Sequence, residues 1–140
     1  MKKIGEVAKA LAEELVRSGF AEKAEVAGSI RRGEVEPTDI DIVCGLANMK
    51  SGTMRVYRLK RDGFNVQLFA AAVQHFGAMW LCYTGPKGSN IGLRIKAKKR
   101  GFKLNQYGLW RGGENLASKT EEAVLAVLGH SWKEPGLRGR

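Results

Sequence analysis

Asp39 and Asp41 alternate with Ile40 and Ile42 in the run Asp39-Ile40-Asp41-Ile42-Val43, a period-two pattern that predicts a strand with both carboxylates on one face. Two carboxylates about 6.5–7 Å apart along such a backbone can share a hard divalent cation such as Mg2+ or Mn2+. Upstream stand Gly28 and Ser29, followed by the basic pair Arg31-Arg32. A glycine lets the backbone approach a phosphate closely, and a serine hydroxyl, backbone amides and a guanidinium can grip its oxygens. An Asp-x-Asp alone is most often a solvated strand surface. With a Gly-Ser turn and a basic loop just before it, the pattern points to a metal and a phosphorylated ligand meeting in one place.

The elements that must hold these residues are legible from periodicity. Ile4, Val7, Ala8, Leu11 and Leu15 recur at helical spacing over Lys3–Arg17, and Ser18-Gly19 supplies the stop. A short strand over Ala24–Ala27 leads into Gly28-Ser29, and a turn around Pro37-Thr38 precedes the aspartate strand. Met54–Leu59 and Phe64–Phe69 flank Arg61-Asp62-Gly63, a hairpin signal. A helix from about Gln74 to Cys82 is broken by Thr84-Gly85-Pro86, and a second runs from about Gly88 to Arg100. Short strands are predicted over Phe102–Leu104 and Tyr107–Arg111. A last helix through Leu128 is expected to start at Ser118, with Glu121 completing a capping box, and the tail from Gly129 reads as irregular.

A chain of 140 residues, 44% hydrophobic and 27% charged, has the balance of a folded globular protein. No run approaches the ~20 apolar residues of a membrane span, so no membrane partner and an intracellular location are expected. Cys44 and Cys82 lie in apolar runs and read as small hydrophobes. The formal net charge is +10, which favours polyanion partners. No acidic residue occurs between Gly63 and Gly113, a stretch that carries Lys87, Arg94, Lys96, Lys98, Lys99, Arg100, Lys103 and Arg111. Such a concentration is expected of a surface that follows a phosphate backbone.

Gly28-Ser29-Ile30-Arg31-Arg32-Gly33 followed by Asp39-Ile40-Asp41 resembles the nucleotidyltransferase signature of the DNA polymerase X family in its polymerase beta form. A second block is similar to the thumb of that family in order and spacing: Tyr83-Thr84-Gly85-Pro86-Lys87-Gly88-Ser89-Asn90, then Arg94, then Leu104-Asn105-Gln106-Tyr107-Gly108-Leu109. Pro135-Gly136-Leu137-Arg138 is similar to its closing motif. The resemblance implies an α+β fold: a nucleotidyltransferase palm over 1–83, with a mixed or antiparallel sheet and helices, followed by a small α/β thumb over 84–140. It implies a monomeric DNA-directed DNA polymerase that adds deoxynucleotides to a primer 3′ hydroxyl by two-metal transfer, in repair or gap filling. Its partners would be a deoxynucleoside triphosphate and primer-template or gapped DNA. Asp39 and Asp41 would hold Mg2+ or Mn2+. Gly28, Ser29, Arg32, Tyr83, Gly85 and Asn90 would bind the nucleotide. Arg94 would reach the template, and Lys96, Lys99, Arg100 and Lys103 would meet DNA phosphates.

The family carries a third catalytic aspartate where Asn65-Val66-Gln67-Leu68-Phe69 stands here, and the aligned position is Gln67. An amide is a weaker metal ligand than a carboxylate and is no base. Two readings follow: a polymerase that works without that carboxylate, or a nucleotide- and DNA-binding module with weakened or lost catalysis.

Overall fold

The computed structural model describes residues 2–139, so Met1 and Arg140, the outer ends of the two expected domains, lie outside the described residues. Helix α1 (Ile4–Arg17) is followed by strand β1 (Lys23–Ala27), a single turn of helix α2 (Gly28–Arg31), strand β2 (Asp39–Leu46) and the strands β3 (Met54–Arg61) and β4 (Phe64–Ala72). These strands form one mixed sheet in the order β1-β2-β4-β3, with β2 and β4 parallel and the outer pairs antiparallel. Between β3 and β4, Asp62 and Gly63 both take positive φ (50° and 84°), the two-residue turn whose twist matches the flanking strands.

Side-chain alternation divides the sheet into two faces. Ile40, Ile42, Cys44, Val66 and Leu68 are buried against Val7, Ala8 and Leu11 of α1, which accounts for the helical spacing of those three residues. The other face is only partly covered. Val43 and Ala71 pack under helix α3 (Phe76–Thr84) through Phe76 and Met79. The end of the same face that carries Asp39 and Asp41 faces solvent.

A short 3-10 turn (Val73–His75) links β4 to α3, and helix α4 (Lys87–Lys99) follows the cis Gly85–Pro86 bond. Strands β5 (Lys103–Asn105), β6 (Gly108–Arg111) and β7 (Glu114–Ala117) form a second, antiparallel sheet, and helix α5 (Glu121–Leu128) completes a second core. Ala78 and Leu81 of α3 enter that core beside Leu93, Leu109, Val124 and Leu128. Helix α3 therefore belongs to both cores, one through Phe76 and Met79 and the other through Ala78 and Leu81.

Several elements differ from the sequence reading. Strand β7 went unrecognised, since four residues without alternation carry no signal until paired with β6. Helix α5 is capped by Thr120, whose hydroxyl accepts from the Ala123 amide at 3.0 Å, two residues later than expected. Ser118 instead donates to the Gln74 carbonyl at 2.8 Å, because the chain there passes α3. Gly77 lets it pass: a Cβ there would lie 2.2 Å from the Thr120 backbone. Glu121 makes no capping box and points inward.

Candidate functional site

Strand register fixes the relation of the two aspartates to their neighbours. Asp41 lies beside Gln67 on β4, which lies beside Arg58 on β3, and Asp39 lies beside Asn65, which lies beside Lys60. Residues paired across strands share a face, so two rows cross the open end of the sheet: carboxylate, amide, cation. Asp39, Asp41, Asn65, Gln67 and Arg58 line one concavity of about 360 Å³. Gln67 thus occupies the position beside Asp41 expected to bear the third carboxylate. Among the described residues no group of three or more His, Cys, Asp or Glu side chains is placed to hold a metal.

The Gly-Ser turn meets the carboxylates where β1 ends, since Ala27 pairs with Asp41. Gly28 has φ +63°, and a Cβ on it would lie 2.5 Å from Asp41 Oδ2, so both conformation and contact demand glycine. Ser29 is half-buried on the single turn of α2, whose opening amides have no partner within the turn. The carboxyl of Asp41 is pushed above its ordinary range by burial and by the neighbouring charge of Asp39, while Arg32 opposes both. Such a carboxylate gains more than an exposed one from a bound cation, because the cation relieves a charge the site already disfavours.

Arg32 also ties this turn to the start of α4. Its guanidinium donates to the Thr84 carbonyl at 2.7 Å and pairs with Glu34, and its Nη1 lies 3.2 Å from where a Cβ of Gly85 would stand. Gly85 takes φ +68°. Tyr83 stacks on Phe69 with ring centroids 4.0 Å apart, and its hydroxyl donates to Met54 Sδ at 3.2 Å. Burial pushes the Tyr83 phenol up to about 12, so it remains a neutral donor. Phe69 is two residues from Gln67 on the same face, so Tyr83 stacks beside the row that carries Asp41 and Gln67.

On α4, Asn90 donates from Nδ2 to the Cys82 carbonyl at 2.7 Å, capping the end of α3, and Arg94 approaches Cys82 Sγ at 3.7 Å. The two share one helix face, as their spacing predicts. Lys96 and Arg100, expected to reach DNA phosphates, also have partners within the chain. Lys96 Nζ lies 3.4 Å from the Gly129 carbonyl and 3.3 Å from His130 Nδ1, and Arg100 donates to the Leu128 carbonyl. Both serve the C-terminal carbonyls of α5, which lack partners inside the helix and attract cations. Lys99 and Lys103 remain exposed.

A buried ion cluster beneath the site was not anticipated. Glu121, 1% exposed, accepts from Arg31 at 2.6 and 2.9 Å, from Arg138 twice at 3.1 Å and from Trp132 at 3.2 Å. Arg31 also donates to the Thr84 hydroxyl at 2.8 Å and lies over the Trp80 ring at 3.4 Å. Burial alone would raise the Glu121 carboxyl, but the hydrogen bonds and charges of the two arginines prevail and hold it below its ordinary value of 4.5. The cluster joins α2, α5 and the tail, including the 3-10 turn Pro135–Leu137. No local signal announces it, since Arg31, Glu121 and Arg138 are far apart in sequence.

Comparisons with known proteins agree with the second half of this architecture. Residues 79–139 match the family model of the DNA polymerase beta thumb. The Repair DNA polymerase X of African swine fever virus is 32% identical over 81 residues, covering 56% of this chain and 47% of that protein. The DNA polymerase IV of Saccharomyces cerevisiae is 36% identical over 73 residues, covering 52% of this chain and 12% of that protein. The chain spans about half the length of the viral relative and a smaller part of the yeast one.

Proposed function

The chain belongs to the DNA polymerase X family, and we propose that it is a DNA polymerase whose first half acts as the palm and whose second half acts as the thumb. In this reading Asp39 and Asp41 hold a divalent cation, Mg2+ or Mn2+. Gly28, Ser29 and Arg32 bind the triphosphate, and Tyr83, Gly85 and Asn90 border the sugar and base. A single observation carries it: the Asp41 carboxylate is packed against Gly28 so closely that no Cβ fits between them. Cation ligand and phosphate-binding turn are therefore one structure.

Two carboxylates on one strand face, one raised by burial and by its neighbour, suit a hard divalent ion with oxygen ligands. When bound, the ion would neutralise phosphate charge and polarise the phosphoryl oxygens. A second ion finds an amide at Gln67 in place of a carboxylate, which fits it poorly. The protein's own part is then positioning. Gly28, Ser29 and Arg32 orient the triphosphate, and Arg94, Lys96, Lys99, Arg100 and Lys103 hold DNA. The primer 3′ oxygen bonds to the α-phosphorus as the bond to pyrophosphate breaks, and the hydroxyl proton passes to water. Positioning and charge stabilisation supply most of the rate in such transfers. Repair or gap filling inside the cell is the proposed use, with the protein acting as a monomer.

Gln67 beside Asp41 favours one alternative, a binding module with little or no catalysis. Primer extension in manganese decides between them. Native chain is expected to extend a primer, and Asp41→Ala to lose at least a hundredfold of that rate. Equal extension by both would refute the assignment of the cation site. Extension that appears only in Gln67→Asp would favour the binding module.

A further inference from the structure

The cation ends of the two rows across the sheet are left without a role by the site described so far. Arg58 and Lys60 are exposed on β3, two residues apart on the same face as Asp39 and Asp41, with Gln67 and Asn65 between them. Arg58 lines the same concavity as both aspartates. Among the described residues neither takes part in a salt bridge, whereas Arg61 on the opposite face pairs with Glu14 at 3.0 Å. We propose that Arg58 and Lys60 form a phosphodiester-binding edge that holds the primer strand beside the carboxylates.

The proposal rests on the polymerase reading and adds a DNA-contacting surface on the first half of the chain. Two strand spacings separate Arg58 from Asp41, roughly 10 Å between backbones, and the separation of Arg58 from Lys60 along β3 is about 7 Å. A 3′ end presented to the carboxylates therefore places the phosphates just behind it within reach of these side chains. A guanidinium can bind a phosphodiester with two parallel hydrogen bonds, and an ammonium adds a second point of charge. The uncharged amides of Asn65 and Gln67 keep cation and carboxylate rows from neutralising one another. Cations also discourage pairing at an edge strand, but Arg55 on the other face serves that purpose equally.

The test uses the full chain and a fluorescent hairpin DNA with a recessed 3′ end, with no nucleotide and no divalent ion, titrated over a range of salt. Its outcome is therefore independent of whether the carboxylates take up a triphosphate. Each phosphate contact contributes about 0.9 to the slope of log affinity against log salt, so the Arg58→Ala/Lys60→Ala variant is expected to lose roughly 1.8. The charge-preserving Arg58→Lys/Lys60→Arg variant should keep the native slope. A control removing two exposed cations from the α1 side, Lys9→Ala/Arg55→Ala, should lose less than half as much. Methylphosphonate at the last two primer phosphates should weaken binding to the native chain and leave the alanine variant unaffected. Equal slopes for the native and alanine chains, an equal loss in the control, or coupling to template rather than primer phosphates would each overturn the proposal.

Discussion

Glu121 receives two guanidinium groups in a pocket that excludes water, an arrangement in which removing one partner costs far more than the pair contributes. Glu121→Ala leaves Arg31 and Arg138 buried and uncompensated, and urea unfolding should show a loss of about 3–5 kcal/mol. Because the folded carboxyl is held below 4.5, its contribution is fully present above that pH and disappears as pH falls through the folded value. Native stability should therefore drop below about pH 4.5 more steeply than that of Glu121→Gln, measured by urea midpoints across an acid series. Gly28 makes a separate demand. Gly28→Ala places a methyl 2.5 Å from Asp41 Oδ2 at φ +63°, and nucleotide affinity is expected to fall at least tenfold while circular dichroism stays native. These two positions differ in how far the sequence revealed them. Gly28 was legible because a glycine before serine and a paired-aspartate strand has a physical meaning, whereas Glu121 was mistaken for a cap because its partners lie at distant positions.

Helices and strands were most readable where one period ran long enough to be counted. The apolar spacing in α1 and the alternation in β2 follow directly from one buried face each. Elements of four residues such as α2 and β7 have no countable period, and contacts from elsewhere define them. The start of α5 is a case of two competing caps. Both Ser118 and Thr120 can cap a helix, and the close crossing over Gly77 decides for Thr120. Thr120→Ala should cost about 1 kcal/mol and Ser118→Ala less than Thr120→Ala, by thermal or urea unfolding. Gly77→Ala should be far worse, since a methyl would lie 2.2 Å from backbone atoms, and no cooperative native melt is expected near the wild-type temperature.

In the whole molecule two cores share helix α3, and the ion cluster around Glu121 ties the turn after β1 to α5 and the tail. The Gly28-Ser29 turn is thereby anchored to the half of the chain that matches the polymerase thumb. Charge follows the same division. Of the cations expected to meet DNA along α4 and at its end, Arg94, Lys99 and Arg100 are exposed, and Lys96 and Arg100 also reach carbonyls at the end of α5. The net charge was readable from composition, but its division between structural and exposed roles depends on where the end of α5 falls. The function proposed for this chain requires divalent-dependent nucleotide uptake at the Asp41–Gly28 contact. Isothermal titration of dATP into the native chain, with and without manganese, tests it most directly. Binding should require the metal and should be lost in Asp39→Ala/Asp41→Ala. Metal-independent binding, or binding that survives the loss of both aspartates, would contradict it.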